Sequence, residues 1–157
     1  MADVDAVDPR EVAAKGRELS GMDYIQAIFA GEVPAPPISE LMGFRGVFAE
    51  PGHAVFEMEP GPQHYNPIGS VHGGIALTLL DSAMGCAVHT TLGAGVGYTT
   101  LEVKTNFVRP ISADTGVIRC EGVVLHSGSR IATAEGKLTD AAGKLLAHGT
   151  TTCLIFQ

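Results

Sequence analysis

The stretch from Ile75 to Leu92 constrains this chain more than any other. It reads IALTLLDSAMGCAVHTTL and is apolar on every side except at Asp81, Ser82, His89 and the threonines. A helix with no polar face must be buried all round. A lipid bilayer would do that, but a carboxylate at mid-helix is costly there, so a membrane span is not expected. The alternative is a sheet that curls around the helix. Short alternating runs supply one: Phe44 to Glu50 and His53 to Glu59 before the helix, then Thr99 to Val108, Gly116 to His126, Ile131 to Thr139 and Leu145 to Phe156. In the third run Leu101, Val103, Thr105 and Phe107 alternate to one side. The segments Ser127–Ser129 (SGS) and Asp140–Gly143 (DAAG) read as hairpin turns. The expected class is α+β, with an antiparallel sheet wrapped around one long central helix. Such a sheet has edges to cover, so pairing of two copies is expected.

With 157 residues, 45% of them hydrophobic and 17% charged, the chain holds enough apolar material for one sizeable core. The net charge is −7 and argues against nucleic-acid binding. That acidity is local, since residues 1–59 carry eleven acids against four bases and residues 60–157 carry six of each. A phosphate-bearing substrate therefore stays compatible if a few arginines gather. Cys86, Cys120 and Cys153 are far apart among apolar or small neighbours, the pattern of reduced, inert thiols. The opening MADVDAVDPREV has no apolar stretch, so no secretory signal is expected and the location reads as cytoplasmic. Residues 1–20 read as polar and loosely helical, with fraying. Met22, Ile25, Ile28 and Phe29 recur at helical spacing and predict a short amphipathic helix over 21–30. The division expected is an N-terminal extension over 1–37 and the main domain over 38–157.

Chemistry is concentrated between His64 and Gly85, HYNPIGSVHGGIALTLLDSAMG. A polar, glycine-rich approach runs straight into the apolar helix. The first amides of a helix have no internal acceptors, and the positive end of the dipole lies behind them. Gly73 and Gly74 let a ligand come close to that backbone, a place to hold a carbonyl oxygen or an oxyanion. Asp81 is the second element. A buried lone carboxylate is either satisfied by a neighbouring hydroxyl or backbone group, or kept in a dry site as nucleophile or general base. Seven residues at ~1.5 Å each separate Gly74 from Asp81 by roughly 10 Å along the helix. One carbonyl cannot touch both ends of that span. If both act on one substrate they come from two chains whose helices run antiparallel, with the active site shared across a twofold dimer.

Other constellations are missing. The histidines and cysteines show no metal spacing. Gly93-Ala-Gly-Val-Gly97 follows a helix and precedes a strand, the reverse of a dinucleotide-binding turn. There is no G-x-S-x-G nucleophile elbow, and no cation near Cys86 to activate its thiol. His89, near the helix end, reads as a structural charge partner of the dipole.

Asn66-x2-Gly69-x2-His72-Gly73-Gly74, with Asp81 nine positions past the histidine, resembles the signature of the PaaI-like acyl-CoA thioesterases of the hotdog fold. Phe107-Val108-Arg109-Pro110 and the Gly-x-Leu-x-Ala-x-Gly stretch from Gly143 to Gly149 fit the same family, so the likeness covers about residues 40–156. The resemblance implies hydrolysis of acyl-CoA to free acid and CoA without metal or other cofactor. It implies Asp81 as the carboxylate that attacks the thioester or activates water, and the Gly73 amide of the other subunit as the donor to the carbonyl. Asn66 would position water or the carboxylate, and His72 would support the loop; the plainer readings are an Asx turn for Asn66 and a helix brace for His72. The family also places a hydroxyl on the strand after the helix. Counting back from Arg109-Pro110 gives Thr100, although alternation puts Thr99 on the face of Leu101. The relatives are usually tetramers that bind CoA between subunits, where Arg109, Ser129 and Arg130 would meet its phosphates unless Arg130 is a solvated charge. A hotdog enoyl-CoA hydratase or dehydratase and a non-catalytic acyl-CoA binder are the rival readings. The acyl group stays open between aromatic and medium-chain fatty acids, and the helix near Tyr24–Phe29 would cover its far end.

Overall fold

Helix α4 (Gly73–His89) lies across a six-stranded antiparallel sheet in a computed structural model that describes residues 7–157. The chain begins with α1 (Pro9–Gly16), α2 (Gly21–Phe29) and α3 (Pro37–Met42), then the hairpin β1 (Phe44–Glu50) and β2 (His53–Met58). After α4 come β3 (Gly97–Phe107), β4 (Ile118–Ser127), β5 (Ile131–Thr139) and β6 (Leu145–Phe156). The sheet order is β1-β2-β4-β5-β6-β3, so β3, the first strand after the helix, is an edge strand paired with β6. The expected α+β class, with a sheet around a central helix, is what the chain adopts.

Close packing of α4 depends on small residues in the sheet. A Cβ at Gly122 of β4 would stand 2.4 Å from the backbone carbonyl of Ala83, and one at Gly136 of β5 would stand 2.9 Å from the Leu80 side chain. These two glycines let the helix backbone approach the strands, burying Leu79, Leu80, Ala83, Met84, Ala87 and Val88 completely.

Two expectations about elements need correction. The helix is not buried all round in the single chain, because Leu77 is 38% exposed and Thr78, Asp81 and Ser82 are half-buried along the same stripe. The sheet covers only part of the helix circumference and leaves that stripe uncovered. Residues 9–16, expected to fray, form a helix. Asp8 caps it by accepting the Arg10 amide at 2.8 Å, and Pro9 occupies its first turn. The part of that expectation that falls on residues 1–6 lies outside the described residues.

The predicted helix over 21–30 is α2. Ser20 caps its start, accepting the Asp23 amide at 3.1 Å. Its Gly21 amide donates to the Leu92 carbonyl at 2.9 Å, and a Cβ at Gly21 would collide with the His89 carbonyl. At the other end Phe29 meets Phe56 edge to face at 5.3 Å between centroids. So α2 is tied down at both ends, to the close of α4 and to β2.

Candidate active site

Asp81 and Thr100 meet on the wall of a cavity at the side of α4. The Thr100 hydroxyl donates to Asp81 Oδ1 at 2.9 Å, from β3 to the middle of α4. A register shift between Thr100 and Glu102 makes this contact possible. Thr100 opposes Cys153 and Glu102 opposes Thr152, so Leu101 is an extra residue, a β-bulge. Before the bulge Tyr98 and Thr100 face the helix; after it Val103 and Thr105 do, while Leu101 is 56% exposed. Uninterrupted alternation from Leu101, as expected from the sequence, fails at this bulge.

The cavity, about 710 Å³, is walled by α4, β1 and β3 and roofed by α2. Its lining is mostly apolar, with Ile25, Ile28 and Phe29 contributed by the roof and Phe44 and Phe56 by the first hairpin. Cys86 and His89 lie on the same helix face as Asp81. Burial, and secondarily the nearby Asp81 carboxylate, push the Cys86 thiol up to about 12, so it stays protonated and inert. Burial holds His89 below the usual histidine range. It is therefore a neutral ring packed against Tyr24 and Tyr98, not the charged partner of the helix end that its position suggested.

The helix start is built differently. His72 caps α4, its Nδ1 accepting the Gly74 amide at 2.8 Å. The Gly74 amide, expected to be open to a ligand, is therefore occupied by the histidine ring. The Gly73 amide has no acceptor among the described residues. Asn66 organises the approach loop: its Oδ1 accepts from the Ile68 and Ser70 amides at 3.1 and 3.2 Å, and Nδ2 donates to Ser70 Oγ at 3.1 Å. Those are the bonds of an Asx turn.

Gly73 and His72 line a second cavity of about 500 Å³, together with Phe107, Arg109 and Pro110, and none of its lining residues is shared with the Asp81 cavity. Within one chain, Asp81 and Gly73 therefore face different spaces. The cationic candidates are separated as well. Arg109 Nη1 donates to the Leu145 carbonyl at 2.6 Å, whereas the Arg130 carbonyl accepts from Ile155 at the other end of β6. Ten residues of strand at ~3.3 Å each put them roughly 30 Å apart. Ser129 and Arg130 are exposed on the β4–β5 turn, at the C-terminal end of α4, where Ser127 Oγ meets Thr91 Oγ1 at 3.0 Å. Among the described residues no cluster of three or more histidine, cysteine or acidic side chains is placed to hold a metal, and no helix is long and apolar enough to cross a membrane.

The thioesterase superfamily model matches residues 68–147, from the approach loop into β6. Acyl-coenzyme A thioesterase 13 of Homo sapiens is 31% identical over 104 residues, 66% of this chain and 73% of that protein. The fold is similar to a phenylacetic acid degradation-related protein of Ralstonia eutropha JMP134, with a TM-score of 0.76 and 28% identity over 83% of this chain and 98% of that one. It is also similar to a mutant of the phenylacetic acid degradation protein PaaI of Thermus thermophilus, with a TM-score of 0.69 and 29% identity over 76% and 98% of the two chains. Together with the carboxylate set on the central helix, these likenesses mean that the chain belongs to the thioesterase superfamily, in its PaaI-like hotdog branch, and is a thioester hydrolase.

Proposed function

We propose that the protein hydrolyses acyl-CoA thioesters in a site shared by two copies, with Asp81 from one and the Gly73 amide from the other. The observation that carries this reading is the separation of the two groups. A carboxylate fixed by Thr100 opens on an apolar cavity, while the unpaired helix-start amide opens on another. Two antiparallel α4 helices would bring the Gly73 of one chain beside the Asp81 of its partner. The same arrangement would set Arg130 of one chain at the end where the partner carries Arg109, and these arginines with Ser129 would meet the CoA phosphates.

In the proposed step the thioester oxygen accepts the Gly73 amide hydrogen, and the helix dipole stabilises the oxyanion as it forms. Asp81 either adds to the carbonyl carbon or takes the proton of an attacking water. The C–S bond breaks, the CoA sulfur leaves and is protonated, and the acid is released. A carboxyl adduct would be opened by the one water that the net hydrolysis consumes. Substrate, water and side chains suffice for this balance. Asn66 holds the loop that delivers Gly73, and one hydrogen of its Nδ2 is left for water or the carboxylate. His72 fixes the helix start that aims the Gly73 amide.

The test is free-thiol release from a panel of aromatic and short- to long-chain acyl-CoAs, with Asp81→Asn beside the wild type. Wild-type release that falls at least about a thousandfold in the variant is expected. Release at the wild-type rate from Asp81→Asn would remove Asp81 from the mechanism.

A further inference from the structure

Of the polar side chains in the acyl cavity that the hydrolytic step does not use, Ser39, Arg45 and Ser82 stand apart, and three others form a cluster of rings. Tyr98 lies two residues before Thr100 on β3, and its hydroxyl sits against Gly85, where a Cβ would stand 2.9 Å from it. His89 tilts against Tyr98 at 5.3 Å between centroids, and Tyr24 from the α2 roof meets His89 edge to face at 5.8 Å. All three line the cavity.

None of their polar atoms is satisfied by the protein. Among the described residues, the hydrogen bonds of the chain include no partner for either hydroxyl or either ring nitrogen. Each of the three residues is only partly buried, so these groups stay open to a molecule in the cavity. Burial pushes both tyrosine hydroxyls up and holds His89 low, so the trio is neutral. It offers two hydroxyls and an imidazole with one donor and one acceptor nitrogen. Such a set suits an uncharged hydroxyl, and Arg45, the cation in the lining, already faces Glu57 Oε2 at 3.6 Å.

Position along the helix sets the length of the group recognised. Gly85 and His89 follow Asp81 by four and eight residues, or ~6 and ~12 Å at ~1.5 Å per residue. With C–C bonds of ~1.5 Å at tetrahedral angles, that is the reach of an extended acyl chain of roughly five to nine carbons. Ile25, Ile28, Phe29 and Phe56 give the same cavity an apolar wall for the chain.

We propose that Tyr24, His89 and Tyr98 form a hydrogen-bonding pocket that selects acyl groups carrying a hydroxyl one to two helix turns from the thioester, in preference to the unsubstituted chain. The proposal rests on the acyl-CoA reading above and adds the determinant of its substrate class. An acyl chain lacking the hydroxyl displaces water from the three groups and leaves them without a partner, which is how a hydrogen-bonding pocket rejects the deoxy analogue.

The experiment compares kcat/KM for octanoyl-CoA, 8-hydroxyoctanoyl-CoA and 3-hydroxyoctanoyl-CoA in the wild type, Tyr98→Phe and Tyr24→Phe. Expected is a preference of at least about tenfold for the 8-hydroxy over the plain chain, with none for the 3-hydroxy chain. In each variant the 8-hydroxy-to-plain ratio drops to within about threefold of unity. Because it is taken within one protein preparation, a partial loss of folding cancels from this ratio. Octanoyl-CoA hydrolysis with a wild-type ratio near one overturns the pocket and leaves the acyl-CoA reading standing. A ratio that survives in both variants also overturns the pocket, since the selectivity then lies elsewhere. Absence of thiol release from all three substrates in the wild type overturns the pocket, and a blank across the wider acyl-CoA panel overturns the acyl-CoA reading as well.

Discussion

Thr100 reaches Asp81 at 2.9 Å because the strand that carries it slips by one residue at Leu101. Its hydroxyl is the only one the structure places on the carboxylate among the described residues, and a charge-assisted bond of that kind contributes about 1.5–3 kcal/mol. If the carboxylate must be aimed to act, Thr100→Val should lower kcat about ten- to a hundredfold while leaving KM within about threefold. A valine variant with wild-type kcat would show that Asp81 is aimed by something else. At this scale the sequence was informative about which residues and poor about their partners. Asp81 stood out because it is a carboxylate in an apolar helix. The choice between Thr99 and Thr100 turned on a bulge, for which the run YTTLEVKTNF carries no glycine or proline as a marker. His89 looked like a charge at a helix end. Its neutral state follows from the rings of Tyr24 and Tyr98, which come from two other elements.

Helix α4 holds its depth against the sheet through Gly122 and Gly136, and Asp81 sits two residues from the Ala83 carbonyl that Gly122 accommodates. Adding one methyl at position 122 forces backbone against backbone, which side-chain motion cannot relieve. Gly122→Ala should therefore destabilise the fold by about 1–3 kcal/mol, lowering the midpoint of thermal unfolding by several degrees. An unchanged midpoint would mean that the helix rides higher than 2.4 Å allows. All six strands were readable as alternating runs, with ends within two residues of those observed, because strand and turn chemistry is local. Their order in the sheet was not readable. The placement of β3 beside β6 rather than β4 depends on which apolar faces close over α4. Helix α1 read only as loosely helical and frayed because its stability comes from the Asp8 cap and Pro9 more than from an apolar stripe.

At the scale of the whole molecule, the separate cavities of Asp81 and Gly73 make a direct test of sharing possible. Proline suits the first helical position, and His72 already has the extended backbone, φ −61° and ψ 135°, that a following proline requires. Gly73→Pro therefore removes the amide hydrogen while keeping the helix start, at the cost of a small shift of the Phe107 ring. Alone it should lose about a hundred- to a thousandfold in kcat. Unfolded, mixed and refolded with Asp81→Asn, it should recover up to about a quarter of wild-type activity, because half of the dimers are mixed and each has one intact site. No recovery would place both groups in one chain. The sequence by itself determined the six strands, α2 and α4, the lone carboxylate and its seven-residue distance from the helix start, all set by local periodicity and residue chemistry. Only the tertiary structure decided that Thr100 holds Asp81, that α2 roofs the cavity and that the two cavities are distinct. Those features arise where segments far apart in the chain compete for the same apolar surface, and no local pattern records the winner.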